Sequence, residues 1–266
     1  MDLATIIGLI LGFGAIIGGQ MLEGGSIGAI MQPTAAIIIL GGTMGATFMS
    51  FPLNYILQAV KDVKKVFLPP QTNHENIIKD IIGYAAKARK NGLISLEQES
   101  QNIKDVFIKK GISLVVDGID PQKLRETMET ELTAFEEHSK ISAEVFEAAG
   151  GYAPTIGIIG AVLGLIQVMS NLSDSSKLGE GIAVAFVATI YGLITANIVC
   201  LPMGTKLKHR LKEEVLIKQM IIEGLIAIQN GENPHFIEQR LRSYLQHNDE
   251  KKVKKETKKE TKKETK

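Results

Sequence analysis

LATIIGLILGFGAIIGGQML, residues 3–22, runs its whole length without a charged side chain. At ~1.5 Å of rise per residue, about twenty such residues cross a ~30 Å hydrocarbon layer, so the segment reads as a transmembrane helix. It opens on Met-Asp, has no basic leader and is longer than the apolar part of a cleaved signal peptide, which argues against removal. The short break EGGSIG leads to a second uncharged stretch, IMQPTAAIIILGGTMGATFMSF at residues 30–51. Two more follow much later, at Ala148–Leu172 and Gly181–Met203, joined by the polar SDSSKLGE. This pattern predicts an all-α membrane protein, with four transmembrane helices in two hairpins and a helical cytoplasmic domain.

Composition agrees. Of 266 residues, 45% are hydrophobic and 22% charged. Mean hydropathy is +0.11 even though the chain ends in an almost purely Lys/Glu/Thr repeat, so the apolar residues are gathered in blocks. A net charge of +1 removes any bulk-charge argument for nucleic-acid binding. The single cysteine, Cys200, excludes an intrachain disulfide and a Cys-based zinc site, and it reads as a small apolar side chain.

All 30 Lys and Arg except Lys177 lie between Pro52 and Phe146 or after Gly204. The positive-inside rule then places both termini and the long middle segment in the cytoplasm, with the loops around Gly24 and Ser175 outside. The expected division is 1–51 (helices 1 and 2), 52–147 (cytoplasmic helical domain) and 148–203 (helices 3 and 4). C-terminal cytoplasmic helices at 204–248 and a disordered KKET-repeat tail at 249–266 complete it.

In the middle segment Ile77, Ile78, Ile81, Ile82 and Ala85 form one helical face, followed by the turn dipeptide Asn91-Gly92. A second helix is expected from about Ser95, with Leu96, Ile103, Val106 and Phe107 inward and Gly111 as its C-cap. Asp120-Pro121 is a helix start, after which Leu124, Met128, Leu132 and Phe135 recur at helical spacing towards the third span. Its many glutamates, from Glu126 to Glu147, read as a solvated face.

The spans are informative for what they lack. None has Asp, Glu, Lys, Arg or His in its middle, although proteins that move cations usually place a carboxylate there despite a cost of ~2.5–3.5 kcal/mol. The chain is therefore expected to form the wall of a pathway whose titrating group belongs to a partner. Candidate wall residues are Pro154, Thr155, Thr189 and Pro202: proline frees a backbone carbonyl and threonine offers a hydroxyl. Back-bonding of each Thr to its own helix is the competing reading. Small residues four apart (Gly8/Gly12, Gly14/Gly18, Gly41/Gly45, Gly160/Gly164) suit close helix packing. No Ser/His/Asp set, phosphate loop or metal motif points to an enzyme or a bound cofactor.

GGYAPTIGIIGAVLGLIQVM and GIAVAFVATIYGLITANIVCLPMGTKLK resemble the last two spans of the motility protein A family, the channel subunits of bacterial flagellar stators. KARKNGLISLEQE and VVDGIDPQKLRETMETEL are similar to its cytoplasmic part, so the resemblance runs from the start to about Gln246. ExbB and TolQ transport proteins share the pattern around AFVATIYGL but usually have one span before the cytoplasmic domain, where this chain has two.

The resemblance implies that Pro154 and Pro202 couple ion passage to conformational change, and that Thr189 faces an aspartate carried by motility protein B. It implies that Arg89 and Glu97, with Lys90 and Glu99 as companions, contact the rotor switch protein. It implies a homo-oligomeric ring, five copies around two, in the lipid bilayer of the bacterial cytoplasmic (inner) membrane. The transported cation is H⁺ or Na⁺. Thr beside the third-span proline leans the expectation towards a transient Na⁺ site at Thr155 and Thr189. The alternative is an ExbB/TolQ-like energiser coupled to a periplasmic partner.

Overall fold

The computed structural model describes residues 2–68, 74–170 and 175–244, which form helices and turns. The KKET tail and the connection at 171–174 lie outside the described residues. Among the described residues, four helices are long and apolar enough to cross a membrane: Leu3–Leu22, Ile27–Ser50, Pro121–Ser170 and Gly181–Gln229. Two compact units divide the chain.

The first unit joins Met1–Pro70 to His138–Leu211. Helix α1, Leu3–Leu22, starts where the Asp2 carboxylate accepts from the Thr5 amide at 3.3 Å, and it is apolar on every side with no buried residue. A tight turn at Ile27–Ile30, capped by Ser26, precedes α2 at Pro33–Ser50. The second span thus begins at the proline, whose fixed φ suits the first helical position and whose missing N–H costs nothing there. Helix α3, Leu53–Phe67, is amphipathic and buries Ala59 and Val66. The C-terminal part of the 50-residue α7, Pro121–Ser170, belongs to this unit, with α8, Ser175–Ile194, and the start of α9, Leu201–Gln229. Ala35 and Ile39 of α2 pack on Val187 and Ala188 of α8.

The second unit joins Gln71–Glu137 to Lys212–Lys266 around one apolar core. Ile78, Ile81 and Ala85 of α4, His74–Asn91, are buried as the periodicity predicts, with Ile77 and Ile82 at the edge of that core. The expected helix from Ser95 does not form as one piece. A tight turn at Leu93–Leu96 runs into the one-turn α5, Glu97–Ser100, and α6, Val106–Val116, starts afresh where Asp105 caps the amides of Phe107 and Ile108. Val106 is consequently 77% exposed rather than inward, because the helix phase is reset at Asp105. Gly111 is no C-cap either. It lies inside α6, where a Cβ would come within 2.2 Å of Leu225, so the glycine is there for helix contact. Leu124, Met128 and Leu132 of α7 and Met220, Ile221 and Leu225 of α9 complete the core. Asn233-Pro234 opens a last helix over 234–244, which buries Ile237 and Leu241.

The acidic residues of α7 are less uniformly solvated than expected. Lys110 bonds Glu131, Arg125 bonds Glu129 and Glu223, and Lys208 bonds Glu147. The hydrogen bond from Arg125 to Glu223 holds the guanidinium above its ordinary pKa. Lys218 adds a contact that periodicity does not reveal, standing 4.2 Å from the Phe107 ring centroid and 4.6 Å from that of Phe135.

Candidate functional site

In the membrane-type unit, α7 and α8 meet through small residues. A Cβ on Gly157 would touch the Ala188 carbonyl at 3.3 Å, one on Gly164 would meet the Ala185 backbone at 2.9 Å, and one on Gly192 would lie 2.6 Å from the Ala153 carbonyl. Backbone therefore rests on backbone where Gly157 and Gly164 face Ala185, Ala188 and Gly192, and between them Gly160 takes the Ala188 methyl. Gly160 and Gly164 are legible as a spaced pair in the sequence, whereas Ala185, Ala188 and Gly192 need the facing helix to be recognised.

This contact positions Thr189, whose Cα lies 3.5 Å from a Cβ built on Gly157, two residues beyond Thr155. The Thr155 hydroxyl donates to the Tyr152 carbonyl at 2.8 Å and is exposed; the Thr189 hydroxyl donates to the Ala185 carbonyl at 3.3 Å and is half-buried. Both threonines bond their own helices. Such a bond uses the hydroxyl's hydrogen and leaves oxygen lone pairs free to accept a cation or a water proton. Thr43 of α2 is 5% exposed and its hydroxyl has no partner among the described residues, a feature that no spacing in the sequence marks.

The two prolines act on neighbouring turns. Pro154 lies inside α7, so the Gly150 carbonyl one turn earlier has no proline N–H to receive. Pro202 does not end the fourth segment, because the chain continues helically to Gln229. The turn before it, Thr195–Cys200, widens instead, and the Leu201 amide reaches five residues back to the Ala196 carbonyl. Widening relieves the clash that a proline ring makes with the carbonyl four residues earlier. A Cβ on Gly150 would meet Leu201 at 2.8 Å and Cys200 at 3.3 Å, so the Pro154 and Pro202 turns are packed together.

At the polar end of α1, the Asp2 carboxylate receives both Lys206 and Arg210 at 2.8 Å, and Lys206 also bonds the Thr5 hydroxyl. The Lys206 hydrogen bond, with the Thr5 amide and both cationic charges, outweighs burial and holds the Asp2 carboxyl below its ordinary pKa.

The charged corner belongs to the other unit. Arg89 and Lys90 end α4 exposed, Gly92 turns the chain at φ +81°, and Leu96, fully buried, anchors the far side. Positive φ is why glycine follows Asn91. Glu97 is exposed, as the sequence suggests. Glu99 instead reaches back to Lys87 at 2.6 Å and ties the two sides of the corner together. Ile94, 73% exposed at the tip, is an apolar contact point that the charge pattern does not announce.

Residues 6–92 match the motility protein A N-terminal family, and residues 99–220 match the MotA/TolQ/ExbB proton channel family. The motility protein A of Bacillus subtilis (strain 168) is 37% identical over 250 residues, covering 94% of this chain and 93% of its own. Among solved structures, that of C. jejuni MotAB is similar with a TM-score of 0.88 at 32% identity, over 94% of this chain and 98% of the other. The flagellar MotAB stator complex from Bacillus subtilis gives a TM-score of 0.85 at 36% identity, over 93% and 98%. The uncharged apolar helices, the packed proline turns and these likenesses over nearly the whole chain lead to one assignment: the chain belongs to the motility protein A branch of the MotA/TolQ/ExbB proton channel family.

Proposed function

We propose that this chain is the ion-channel subunit of a flagellar stator, in which inward cation flow through a ring of copies around motility protein B generates torque on the rotor. The observation that carries the reading is the likeness to MotAB stator complexes over more than nine-tenths of the chain. Physical support comes from the four apolar segments, which hold no Asp, Glu, Lys, Arg or His in their middles. A partner's membrane aspartate supplies what they lack, binding the cation near Thr189. Alternating occupancy then rocks the packed Pro154 and Pro202 turns and steps the ring.

Each unit charge moved down ~100 mV releases ~2.3 kcal/mol, so a few ions per step suffice for useful work. In this reading the spans form two hairpins in the bacterial inner membrane, the ring has five copies, and the regions divide at 51, 147, 203 and 248 with both termini cytoplasmic. Arg89, Lys90 and Glu97 meet the rotor switch protein, with Ile94 as the apolar centre of that contact.

A deletion strain tests the function. Flagella should assemble normally yet not turn, and re-expression of the chain with its partner should restore swimming. Unchanged swimming would reject the stator and favour the ExbB/TolQ-like energiser.

Glu99 acts within the chain in this reading, holding the corner through Lys87. A half-exposed surface pair of this kind contributes only ~0–1 kcal/mol, so its reversal should alter torque more than stability. Either Lys87→Glu or Glu99→Lys alone should slow swimming, and the double exchange should restore it with no change in the rotor protein. Failure of the double exchange, with each single variant rescued by a charge change in the rotor protein, would make Glu99 a direct contact.

A further inference from the structure

Helix α3, Leu53–Phe67, follows α2 after only Phe51 and Pro52. Its other end is tied to the start of α1: the Phe67 carbonyl accepts from the Asp2 amide at 2.8 Å, and the Val66 carbonyl from the Thr5 hydroxyl at 3.4 Å. Val66 is also buried with Ala143 and Leu207, and Phe146 and Met203 pack alongside, all residues at the edges of the third and fourth apolar segments. A helix of 15 residues is about 22 Å long, and both ends of this one sit where apolar segments stop. α3 therefore runs along that boundary instead of leading away from it. Between its ends it holds α7 just short of the third segment, where Gln58 donates to the His138 carbonyl at 3.1 Å and the Asp62 carboxylate accepts from the Ser142 hydroxyl at 2.7 Å.

α3 is apolar over more of its circumference than this chain covers. Ala59 and Val66 are buried, whereas Leu53, Leu57 and Val60, spaced by four and three, are each more than half exposed, as is Leu68 just past the helix. Lys61 and Lys64 follow Leu57 and Val60 by one turn and are exposed. Neither side chain has an ion pair or hydrogen bond among the described residues, and the neighbouring Asp62 is engaged by Lys65 and Ser142. The open face thus combines an apolar stripe with two cations that no carboxylate answers among the described residues.

We propose that α3 lies in the inner surface of the bilayer, with Leu53, Leu57 and Val60 at the boundary between headgroups and acyl chains and with Lys61 and Lys64 on anionic lipid headgroups. The inference rests on the membrane reading of α1 and α2. A lipid surface fits this face because apolar burial and the attraction of lysines to anionic headgroups add when a helix lies in the interface. Lysine suits the place, since its aliphatic stem lies along apolar neighbours while the ammonium reaches the headgroups. So placed, α3 fixes the depth of α7 at His138 and Ser142, where that helix approaches the third span.

The test uses the full complex of this chain with its partner in vesicles of phosphatidylglycerol and phosphatidylcholine. The chain has no tryptophan, so Leu57→Trp adds one reporter per copy, read after subtraction of the wild-type complex. Its fluorescence should be quenched by lipids brominated on the acyl chain and not by aqueous iodide, whereas Asn54→Trp, on the polar side of the helix, should respond to iodide. Competition between the two brominated lipids should show phosphatidylglycerol preferred at Leu57→Trp by about fivefold, a ratio equivalent to ~1 kcal/mol. Adding Lys61→Gln and Lys64→Gln should remove that preference and keep the quenching.

Iodide quenching of Leu57→Trp as strong as that of Asn54→Trp would overturn the proposal, because the face would then lie in water. Resistance of Leu57→Trp to both brominated lipid and iodide would also overturn it, because a neighbouring copy would then cover the face. So would equal affinity for the two lipids with both lysines present. The membrane reading is checked separately by Leu40→Trp in α2, since it fails only if iodide quenches that residue.

Discussion

Gly192→Leu is expected to abolish swimming and to lower the thermal midpoint of the solubilised complex by roughly 2–6 °C, whereas Gly18→Leu leaves that midpoint unchanged. Both replace a glycine in an apolar segment, and their surroundings make the difference. At Gly192 the new Cβ would lie 2.6 Å from the Ala153 carbonyl oxygen and 3.2 Å from the Gly157 Cα. Those atoms are backbone and cannot rotate away as a side-chain tip does. The helices must separate along the whole Gly157–Gly164 face, an overpacking penalty of ~1–3 kcal/mol, which for a chain of this size corresponds to the quoted shift. Separation would also pull Thr189 from its place beside Gly157 and unseat the neighbouring proline turns, so motility should fail more completely than stability does. A Cβ on Gly18 meets nothing within 4 Å. If another copy covers Gly18, its replacement will change the assembly mass and leave the fold of each chain intact. A Gly192→Leu complex with wild-type midpoint and speed would refute the packing argument.

How far the sequence discloses all this depends on the length scale of each signal. The four apolar segments are legible because hydrophobic length is a property of the segment itself. So is the run from Asp120-Pro121 into the third span, where the apolar spacing continues unbroken into α7. The region between Ser95 and Gly111 reads wrongly because a one-turn helix and an Asp105 cap reset the phase within ten residues, shorter than a periodicity window. Gly111 is misread for a related reason: glycine after an apolar run is the usual mark of a helix end, but here it makes room for Leu225, more than a hundred residues away in sequence. The turn at Gly92 hides the Lys87–Glu99 bond, twelve residues apart, inside what reads as a cluster of surface charges, and a reach of 208 residues hides the bond of Arg210 to Asp2. Proline is legible as a disturbance at both positions. Its form is not, since α7 passes Pro154 as a continuous helix while the fourth segment widens before Pro202.

Swimming speed at fixed membrane potential is expected to rise with external sodium and saturate, with Thr189→Val stopping rotation and Thr155→Val raising the half-saturating sodium concentration about tenfold. The argument begins with the hydroxyl hydrogens. Thr155 spends its own on the Tyr152 carbonyl and Thr189 on the Ala185 carbonyl, so in the proposed pathway each oxygen would serve as an acceptor only. Sodium is a hard cation that must replace part of its water shell with oxygen ligands, and in the proposed site two hydroxyls with a partner carboxylate would form such a set. A proton needs one acceptor and is indifferent to the second hydroxyl. Valine keeps the volume and branching of threonine while removing only the oxygen, so packing beside Gly157 survives and the loss can be read as lost coordination. Thr189 is half-buried at the helix contact, where water stands in less readily, which makes its loss the larger. Thr155 is exposed, so water can stand in for its oxygen at the cost of one weaker ligand, about 1.4 kcal/mol for a tenfold change in affinity. Speed indifferent to sodium, with Thr155→Val swimming as the wild type does, would leave the stator in place and assign the pathway to protons.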